Sequence, residues 1–404
     1  MLRSLFSGIS GLRAHQTMMD VVGNNITNVN TAGYKSSSTV FEDNLSQLLK
    51  AAGAPQGGNG GTNPAAVGLG VRLGGISTNF GQGANQLTGR STDLAIQGDG
   101  FFAVRQGGET LYTRAGAFDF DESGLLVTTS GAVVRGWMAQ NGVVNPNAAV
   151  EDIRVPLGTL LAPEQTTRNT LAGNLPLNAA VPMTVPLATS VNSFDGQGTD
   201  FKINWELTKT AANTWEAVGK DNAGATLATS PPILFDPATG KLASPNSFTF
   251  TPPGAGWTQP ITVDLTGLSQ FGDTNTLTGS GNGSEMGALQ SFTISPTGSL
   301  IGVFSNGLKQ PLGQVALAAF NNPPGLAKVG GSMYRTTVNS GVPQFGLAGT
   351  GGRGSLTSGS LEMSNVDLAQ EFTNLIVAQR GFQANSRVIS ASDEILQDLV
   401  NLKR

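Results

Sequence analysis

The sequence contains no cysteine in its 404 residues and a single histidine, His15. Without cysteine, the chain can form neither disulfide cross-links nor a reactive thiolate. Histidine is the side chain that most often serves as a catalytic base, and the sequence offers His15 no visible partner. We therefore expect His15 to be an exposed or interface residue, and we predict no catalytic residue in the chain.

Charged residues are also scarce. They make up 12% of the sequence, against roughly 25% in an average protein, and the formal net charge is −4. This balance predicts neither a nucleic acid nor an acidic membrane surface as a partner. No apolar run approaches the roughly 18–20 residues needed to span a bilayer, so we predict no membrane insertion.

Two short motifs resemble ligand-binding sites but lack the required context. Residues 349–354 match G-x-G-x-x-G literally, but the S-L-T-S-G-S that follows is not the helix start that a dinucleotide site requires. Asp119, Asp121 and Ser123 resemble the start of a calcium loop, but its twelfth position is Ser130 instead of glutamate. We expect a linker and a polar hairpin turn, respectively, and predict no metal site and no cofactor.

Glycine is abundant, at 55 residues, which is nearly twice the ordinary share of about 7%. This composition favours many short strands joined by turns over an α/β enzyme. Strand-like segments run from about residue 70 to 150 and again from about 290 to 335. Between them, Phe201, Ile203, Trp205 and Leu207 alternate with polar residues, as expected of a half-buried strand. We predict that residues 151–287 form a small inserted sandwich or barrel.

The C-terminal residues 364–404 carry apolar side chains three and four apart, which indicates an amphipathic helix that packs against another helix. Gly381 is the only weak point in this stretch. Ser364 and Asp367 form a helix start signal in which the serine hydroxyl would cap the first turn. At about 1.5 Å per residue the helix would be roughly 55–60 Å long. The stripe comprises Leu368, Phe372, Leu375, Phe382, Ile389 and Leu396.

The N-terminal residues repeat the same spacing and predict a second amphipathic helix. Its stripe comprises Leu5, Ile9, Leu12, Met19 and Ile26. The simplest interpretation is that the two helices pair and bring the chain ends together. Each stripe could equally seek stripes on other copies of the chain, and periodicity does not choose between an intramolecular hairpin and a polymer interface. All eleven stripe residues are therefore candidate polymer-interface residues.

The first helix should end in the asparagine-rich segment NNITNVNTAGYK, residues 24–35. Asparagine competes with the helix for backbone hydrogen bonds, and asparagine and glycine both tolerate positive φ. Residues 36–50 could form a short helix or an extended arm, and residues 51–64 should form a flexible loop. Further along, the step G-D-G at residues 98–100, flanked by apolar runs, predicts a hairpin.

Together these patterns predict a multidomain, mainly β protein with nested, discontinuous domains. The long N- and C-terminal helices would form a coiled-coil-like pair. The predicted divisions are a terminal helical core domain (1–33 plus 362–404), a linker or arm (34–75), an intermediate β domain (76–150 plus 288–361) and an inserted outer β domain (151–287).

Several of these motifs resemble a known family, the bacterial flagellar rod and hook axial proteins. The segment from Asn24 to Lys35 is similar to the family's signature, and residues 358–402 are similar to its tail. The segments GDGFF and YTRAGAFDFDESG, at 98–102 and 112–124, also match the family pattern. The family-motif residues are Asn24, Asn25, Asn28, Asn30, Gly33, Tyr34, Gly98, Gly100 and Phe101. The resemblance is specific because long motifs occur in the right order.

Within this family, rod proteins look like short chains with little or no insertion. The large insertion at 151–287 therefore makes this chain resemble the hook members. The resemblance implies a structural, non-enzymatic subunit. Its terminal helices would form an inner tube and its β domains outer layers. The resulting helical polymer would be a flexible universal joint that transmits torque from the basal body to the filament.

The resemblance also implies the partners and the location. The expected partners are further copies of the chain, rod proteins, hook cap proteins, hook–filament junction proteins and the flagellar export apparatus. The expected location is the extracellular part of the bacterial flagellum. Residues Met1 to Phe6 look superficially like the start of a signal peptide, but Gly8, Gly11 and Arg13 interrupt the apolar core that a cleaved leader would need. Export by the flagellar apparatus fits this expected absence of a cleaved leader.

Two other interpretations remain open at this stage. The chain could be a distal rod protein or another flagellar axial protein, in which case its polymer would be straight and rigid. It could instead belong to a different class, a secreted carbohydrate-binding or hydrolytic β protein that carries terminal helices. Scattered carboxylates could in principle form a glycosidase pair, but nothing in the sequence brings two together.

Overall fold

A computed structural model describes residues 2–54, 60–155, 158–254 and 256–401. Long helices stand at both ends of the chain, as predicted: α1 spans Leu2–Thr27 and α2 spans Leu368–Asn401. At about 1.5 Å per residue they are roughly 39 and 51 Å long. The second helix begins at Leu368, four residues after the predicted cap. Residues 402–404 lie outside the described ranges.

Strands fill the described chain between the helices. Those before the second half of the chain are β1 (Ser37–Asp43), β2 (Ser46–Lys50), β3 (Ala65–Gly68), β4 (Val71–Thr78), β5 (Asn85–Leu87), β6 (Leu94–Gln97), β7 (Phe101–Gln106), β8 (Glu109–Thr113), β9 (Phe118–Phe120), β10 (Leu126–Thr128), β11 (Val133–Gln140), β12 (Val143–Val144), β13 (Glu151–Asp152), β14 (Leu160–Leu161), β15 (Arg168–Leu175), β16 (Leu187–Phe194) and β17 (Asp200–Ala211).

The remaining strands continue to the start of α2. They are β18 (Thr214–Lys220), β19 (Thr226–Thr229), β20 (Ile233–Phe235), β21 (Leu242–Ser244), β22 (Ser247–Phe250), β23 (Ile261–Gln270), β24 (Thr278–Gly281), β25 (Gly287–Ile294), β26 (Ser299–Phe304), β27 (Lys309–Val315), β28 (Leu317–Ala319), β29 (Ala327–Gly330), β30 (Met333–Arg335), β31 (Gln344–Gly346), β32 (Ser355–Ser358) and β33 (Ser360–Glu362). A short 3-10 turn, Pro323–Gly325, precedes β29.

The chain divides into two compact units. The first consists of Met1–Pro156, Thr293–Ile301 and Pro311–Arg404, and the second of Leu157–Phe292 and Gly302–Gln310. The predicted insertion, 151–287, lies in the second unit from residue 157 onward. The finer predicted division of the first unit into a helical core, an arm and an intermediate β domain stays a prediction.

The second unit is built on one apolar core shared by two sheets. One sheet has the order β22-β23-β15-β24, and the other β16-β17-β18-β20-β21 with β19 beside β18. Trp205 of β17 and Trp215 of β18 are fully buried in this core, together with Leu171 of β15 and Val263 of β23. The predicted alternation is confirmed in β17, where Ile203, Trp205 and Leu207 are buried. Two sheets around one core match the expected small sandwich.

The first unit contains a sheet centred on β7, which pairs with β8, β11 and β28. The predicted hairpin at residues 98–100 is wrong, because β6 pairs with β32 near the C-terminus instead of with β7. Gly98 and Gly100 have φ of 106° and 125°, and the N–H of Gly354 donates to the Asp99 carbonyl at 2.6 Å. The segment around Gly354 leads into β32, which is the strand that pairs with β6. The two glycines therefore turn the chain from the sheet of β6 into the sheet of β7.

The segment after α1 is extended. Of the two forms proposed for residues 36–50, the structure shows strands: β1 pairs with β4, and β2 pairs with β3. Every residue of β2 and β3 is exposed. The expected loop at 51–64 lies partly outside the described residues, because 55–59 are not described. Among the described residues on either side of that gap, Gly53 forms an antiparallel β-bridge with Thr62.

Asp367, and not Ser364, caps α2. The Asp367 carboxylate accepts the backbone N–H groups of Ala369 at 2.9 Å and Gln370 at 3.2 Å. The Ser364 hydroxyl accepts only from Val366, outside the helix. The predicted serine cap was therefore wrong. An aspartate at this position satisfies the orphan N–H groups and also interacts favourably with the positive end of the helix dipole.

The two helices run antiparallel and meet through glycines. A Cβ on Gly8 would lie 3.2 Å from Ile389, and one on Gly11 would lie 2.8 Å from the Asn385 side-chain amide. Gly381, the apparent weak point of α2, faces the ring of His15, which a Cβ there would overlap. Small residues let helix backbones approach closely. We call this contact the glycine seam.

We predict that Gly11→Leu disrupts the glycine seam. The added side chain must displace Asn385, and overpacking of this kind costs about 1–3 kcal/mol. Gly23→Leu is the matched control, because a Cβ on Gly23 meets nothing within 4 Å and leucine has the better helix propensity. Urea unfolding of the full-length chain, followed by far-ultraviolet circular dichroism, should show a lower free energy of unfolding for Gly11→Leu alone. Equal behaviour of the two variants would contradict the seam.

Candidate functional site

The asparagine-rich segment after α1 folds around Asn25, which is fully buried. Its side-chain amide donates to the Ser37 carbonyl at 2.8 Å, and its side-chain oxygen accepts from the Ser37 N–H at 3.0 Å. The Tyr34 hydroxyl donates to the same oxygen at 3.1 Å. One side chain therefore pins the end of the helix to the strand that follows it. Burial, and after it the negative charge of Glu371, raises the pKa of Tyr34.

Gly33 occupies a position that only glycine fits. Its φ is +67°, and a Cβ there would collide with the backbone of Ala115. Its N–H donates to the carbonyl of Glu362 at 2.7 Å. The turn after α1 therefore contacts both the β sheet and the segment that leads into α2.

The other motif residues have supporting positions. The Asn28 side chain donates to the carbonyl of Asn24 at 2.9 Å, within the last turn of α1, and Asn30 is exposed. Phe101 is buried edge-on against Phe80 and Phe320. Gly98 and Gly100 supply the sharp redirection described above. The motifs thus stabilise the first unit, and Asn24, Asn28 and Tyr34 among them also line a cavity of about 610 Å³.

A buried ion cluster links these motifs. Glu362 accepts from the Lys35 ammonium at 2.6 Å and from the Gly83 N–H at 2.9 Å with one oxygen, and from Arg114 at 3.4 Å with the other. The side chains of Lys35 and Glu362 have 0% of their surface exposed, and Arg114 has 2%. We call Lys35, Arg114 and Glu362 the charge junction. Sequence reasoning missed it, and the only available signal was isolated charges inside motifs that are otherwise polar or apolar.

The charge junction is a buried site in which two cations share one carboxylate. Desolvation lowers the pKa of Lys35 and of Arg114, and the charge of Glu362 opposes this effect in both cases. Lys35 also donates to the Gly81 carbonyl at 2.8 Å, and the Arg114 guanidinium lies 5.3 Å above the Phe101 ring. Each cation therefore has partners beyond the carboxylate, as buried charges require.

Asn365 adds a second bridge beside the charge junction. Its side-chain oxygen accepts the N–H of Ser36 at 2.8 Å, and its amide donates to the carbonyls of Asn79 and Gly81 at 2.8 and 3.0 Å. Residues close to both chain ends are thus held to the same loop. Together with the buried bonds of Glu362 to Lys35 and Arg114, these contacts connect the segments that follow α1 and precede α2 to the sheet.

The candidate interface residues on the helices differ in exposure. Ile9, Leu368 and Phe372 have 38%, 40% and 51% of their surface exposed. The remaining candidates are half-buried: Leu5, Leu12, Met19, Ile26, Leu375, Phe382, Ile389 and Leu396. The glycine seam lies at the contact between α1 and α2, and the stripe residues of both helices remain partly open to solvent.

Other exposed apolar residues on the helices were not predicted. They are Phe6, Ile376, Val377, Val388 and Ile395. A helical projection at 100° per residue would have found Ile376, which continues the line from Leu368 and Phe372 at intervals of four. The two helices therefore present more apolar surface than one intramolecular contact covers.

The described residues offer little for other chemistry. Within the described ranges, no three His, Asp or Glu side chains gather closely enough to hold a metal ion. None of the described helices has the length and apolarity that a membrane crossing requires. Residues 119–125 form the β9–β10 turn, in which the Asp121 carboxylate accepts the N–H groups of Ser123 and Leu125. This is the polar turn expected from the sequence.

We predict that Glu362→Gln strongly destabilises the first unit. It leaves two buried cations without a counter-charge, and breaking a buried ion pair typically costs about 3–5 kcal/mol. Glu42→Gln is the control, because Glu42 pairs with Arg72 on the surface, where such pairs contribute about 0–1 kcal/mol. Chemical denaturation of both full-length variants measures the difference. Similar small losses for both would show that the junction does not stabilise the fold.

Comparison with known proteins gives three family matches along the chain. Residues 5–35 match the flagella basal body rod protein family, and residues 95–170 match the flagellar hook protein FlgE/F/G D1 domain. Residues 357–402 match the flagellar basal body rod FlgEFG protein C-terminal family. The first and last matches contain Lys35 and Glu362, and the middle one contains Arg114, so each contributes one charge to the junction.

Full-length relatives are also found. The chain is 39% identical to the flagellar hook protein FlgE of Borreliella burgdorferi, with 100% of both chains covered. It is 34% identical to the flagellar basal-body rod protein FlgG of Bacillus subtilis, again over 100% of both. The fold resembles the crystal structure of Helicobacter pylori flagellar hook protein FlgE2, with a TM-score of 0.54 and 16% identity over 69% of this chain and 100% of that one. The chain therefore belongs to the FlgE/F/G family of flagellar hook and rod proteins.

Proposed function

We propose that this chain is the structural subunit of a bacterial flagellar hook, and that it self-assembles into a flexible helical tube. The observation that carries the proposal is the apolar surface left open on α1 and α2, in a chain whose full-length relatives include hook proteins. The subunit would act as a universal joint between the basal body and the filament. Its role is structural and not enzymatic.

The energetics of assembly follow from the exposed side chains. A large apolar side chain gains about 1.5–3 kcal/mol when it is fully buried. Phe372 and Ile376 are more than half exposed, and they lie one turn apart on the same line along α2. Burying such pairs between copies supplies the attraction that the single chain leaves unused. The glycine seam holds the two helices together, so each copy presents both helices as one surface.

The contacts between copies are expected to be heterologous. Two different surfaces then meet at each contact, and repetition without closure produces a helical polymer. The charge junction keeps the helices attached to the β sheet, so a load applied to one is carried to the other. We infer that bending takes place at the contacts between copies, because the junction within each copy is buried and held by ion pairs.

The partners and the location follow from this role. We infer contacts with rod proteins below the hook, with the hook cap during growth and with hook–filament junction proteins above. The export apparatus would deliver the chain to the extracellular part of the flagellum. These partners rest on the family membership, and the full-length hook relatives support them.

One observation favours a second candidate, a flagellar rod subunit. The Bacillus subtilis rod protein FlgG is related to the chain over its full length. A rod polymer is straight and rigid, whereas a hook polymer is curved and compliant. Electron microscopy of polymers grown from the purified chain separates the two, because uniformly straight polymers would favour the rod.

We predict that Phe372→Asp abolishes polymer formation and leaves the subunit folded. The charge is placed on a side chain that is exposed in the single copy, so only contacts with other copies should suffer. Sedimentation and electron microscopy measure polymer mass, and circular dichroism checks the fold.

Gln383→Asp is the control for this variant, because Gln383 is exposed on the same helix and its neighbours three and four residues away are the polar Gln379, Arg380, Ser386 and Arg387. It adds the same charge on a more polar face, and we expect polymers to form. Normal polymers from Phe372→Asp would contradict the assignment of this surface to assembly.

A further inference from the structure

A loop of the first unit displays two valines to solvent. Val338 has 105% of its reference surface exposed, more than any other large apolar side chain among the described residues, and Val342 has 80%. Residues 336–344, T-T-V-N-S-G-V-P-Q, contain no charge. Val338 and Val342 lie four residues apart in this one loop, and exposed apolar surface of this kind can serve as an interaction surface. We call Val338 and Val342 the valine knob.

The loop that carries the valine knob is ordered by its own hydrogen bonds. Ser340 is completely buried, and its hydroxyl accepts from the Thr337 N–H at 3.0 Å and donates to the Thr337 carbonyl at 2.9 Å. The Thr337 hydroxyl donates to Gly325, and the Asn322 amide donates to Asn339 at 2.8 Å. Because the loop is already fixed, little conformational entropy is lost when the valines are buried by a partner.

The same unit contains a cavity of matching chemistry. Its volume is about 610 Å³, and its lining includes Ala32, Ala115, Ala117, Met333 and Tyr334. Asn24, Asn28, Thr31 and Lys328 also line it. The Lys328 ammonium donates to the Lys35 carbonyl at 3.1 Å and to the Ser37 hydroxyl at 2.8 Å, and it lies 5.0 Å from the centre of the Tyr34 ring. An uncharged loop can therefore enter the cavity while Lys328 keeps these contacts.

The knob and the cavity lie at opposite ends of one hairpin. Strands β29 and β30 pair Ala327 with Arg335 at one end and Gly330 with Met333 at the other. The cavity is lined by the turn at residues 330–333. The knob loop is hydrogen-bonded to Asn322 and Gly325, which lie just before the Ala327–Arg335 end of the hairpin. At about 3.3 Å per residue the strands alone separate the two features by roughly 10 Å.

We propose that the valine knob of one copy inserts into this cavity of the next copy. The proposal rests on the self-assembly proposed above. A knob at one end and a cavity at the other cannot satisfy each other within one chain, but they match head to tail between copies. Contacts of this heterologous kind do not close, so they extend a polymer. The hairpin β29–β30 would then be an axial contact element, separate from the helices.

The chain has no cysteine, so introduced thiols report this contact without background. We expect the full-length double variant Val338→Cys, Ala117→Cys, once polymerised and mildly oxidised or treated with a short bis-maleimide, to give a ladder of covalent oligomers on a non-reducing gel. Val143→Cys, Ala117→Cys is the control, since Val143 is also exposed in the first unit but outside the knob. The single variant Val338→Cys should give no ladder.

A second variant tests the direction of the contact. Val338→Asp, Val342→Asp lacks the knob but keeps the cavity, so it can add to one end of a polymer and prevent the next addition. We expect a minor fraction of this variant, mixed with the unmodified chain, to cause a large loss of polymer mass. Ala117→Trp fills the cavity instead and should have the same effect.

The outcomes are distinguishable. Normal polymers with no more cross-linking than the control would overturn the knob contact and leave the proposed function standing. A ladder in dilute, unpolymerised chains, or capture of the cavity by a different protein, would also overturn it. Failure of the unmodified chain to polymerise under any condition would overturn the proposed function, and this inference with it.

Discussion

The fold of the first unit depends on one buried carboxylate. Glu362 lies in the strand just before α2, Lys35 lies just after α1, and Arg114 comes from the sheet between them. Breaking a buried ion pair leaves an uncompensated buried charge, so the three segments favour one another's burial at this place. The charge junction therefore brings the two ends of the chain to one place. The glycine seam then lets the helices that extend from it pack closely.

This arrangement explains why apolar surface remains on the helices. The side of α1 that faces α2 includes Gly8, Gly11 and His15, which allow close contact but bury little apolar area. The larger side chains, including Ile9 of α1 and Phe372 of α2, stay partly open. A single chain thus uses its small residues for internal packing and leaves its large apolar residues for other copies. This separation of internal packing from contacts between copies suits a subunit that folds first and then binds other copies through its apolar surface.

Much of the fold could be predicted from the sequence, and the errors have physical causes. Apolar spacing located both helices and the strand through Trp205, because burial imposes a period on the sequence. It did not reveal that Gly8, Gly11 and Gly381 make the helix contact, since glycine carries no apolar signal and reads as a weak point. The hairpin expected at residues 98–100 failed because β32, more than 250 residues away, competes for the same strand edge. Glu362 was missed because pairing between distant charges leaves no local pattern.

The order of the two units along the chain has a practical consequence. The chain leaves the first unit after residue 156, and every member of the charge junction lies in that first unit. The second unit has its own core around Trp205 and Trp215. Extra sequence placed in one of its exposed turns, such as residues 222–224 between β18 and β19, would therefore not interrupt the meeting of the chain ends. Fluorescent tags or reporter peptides could be carried there, which makes this unit the natural place to label an assembled structure for imaging.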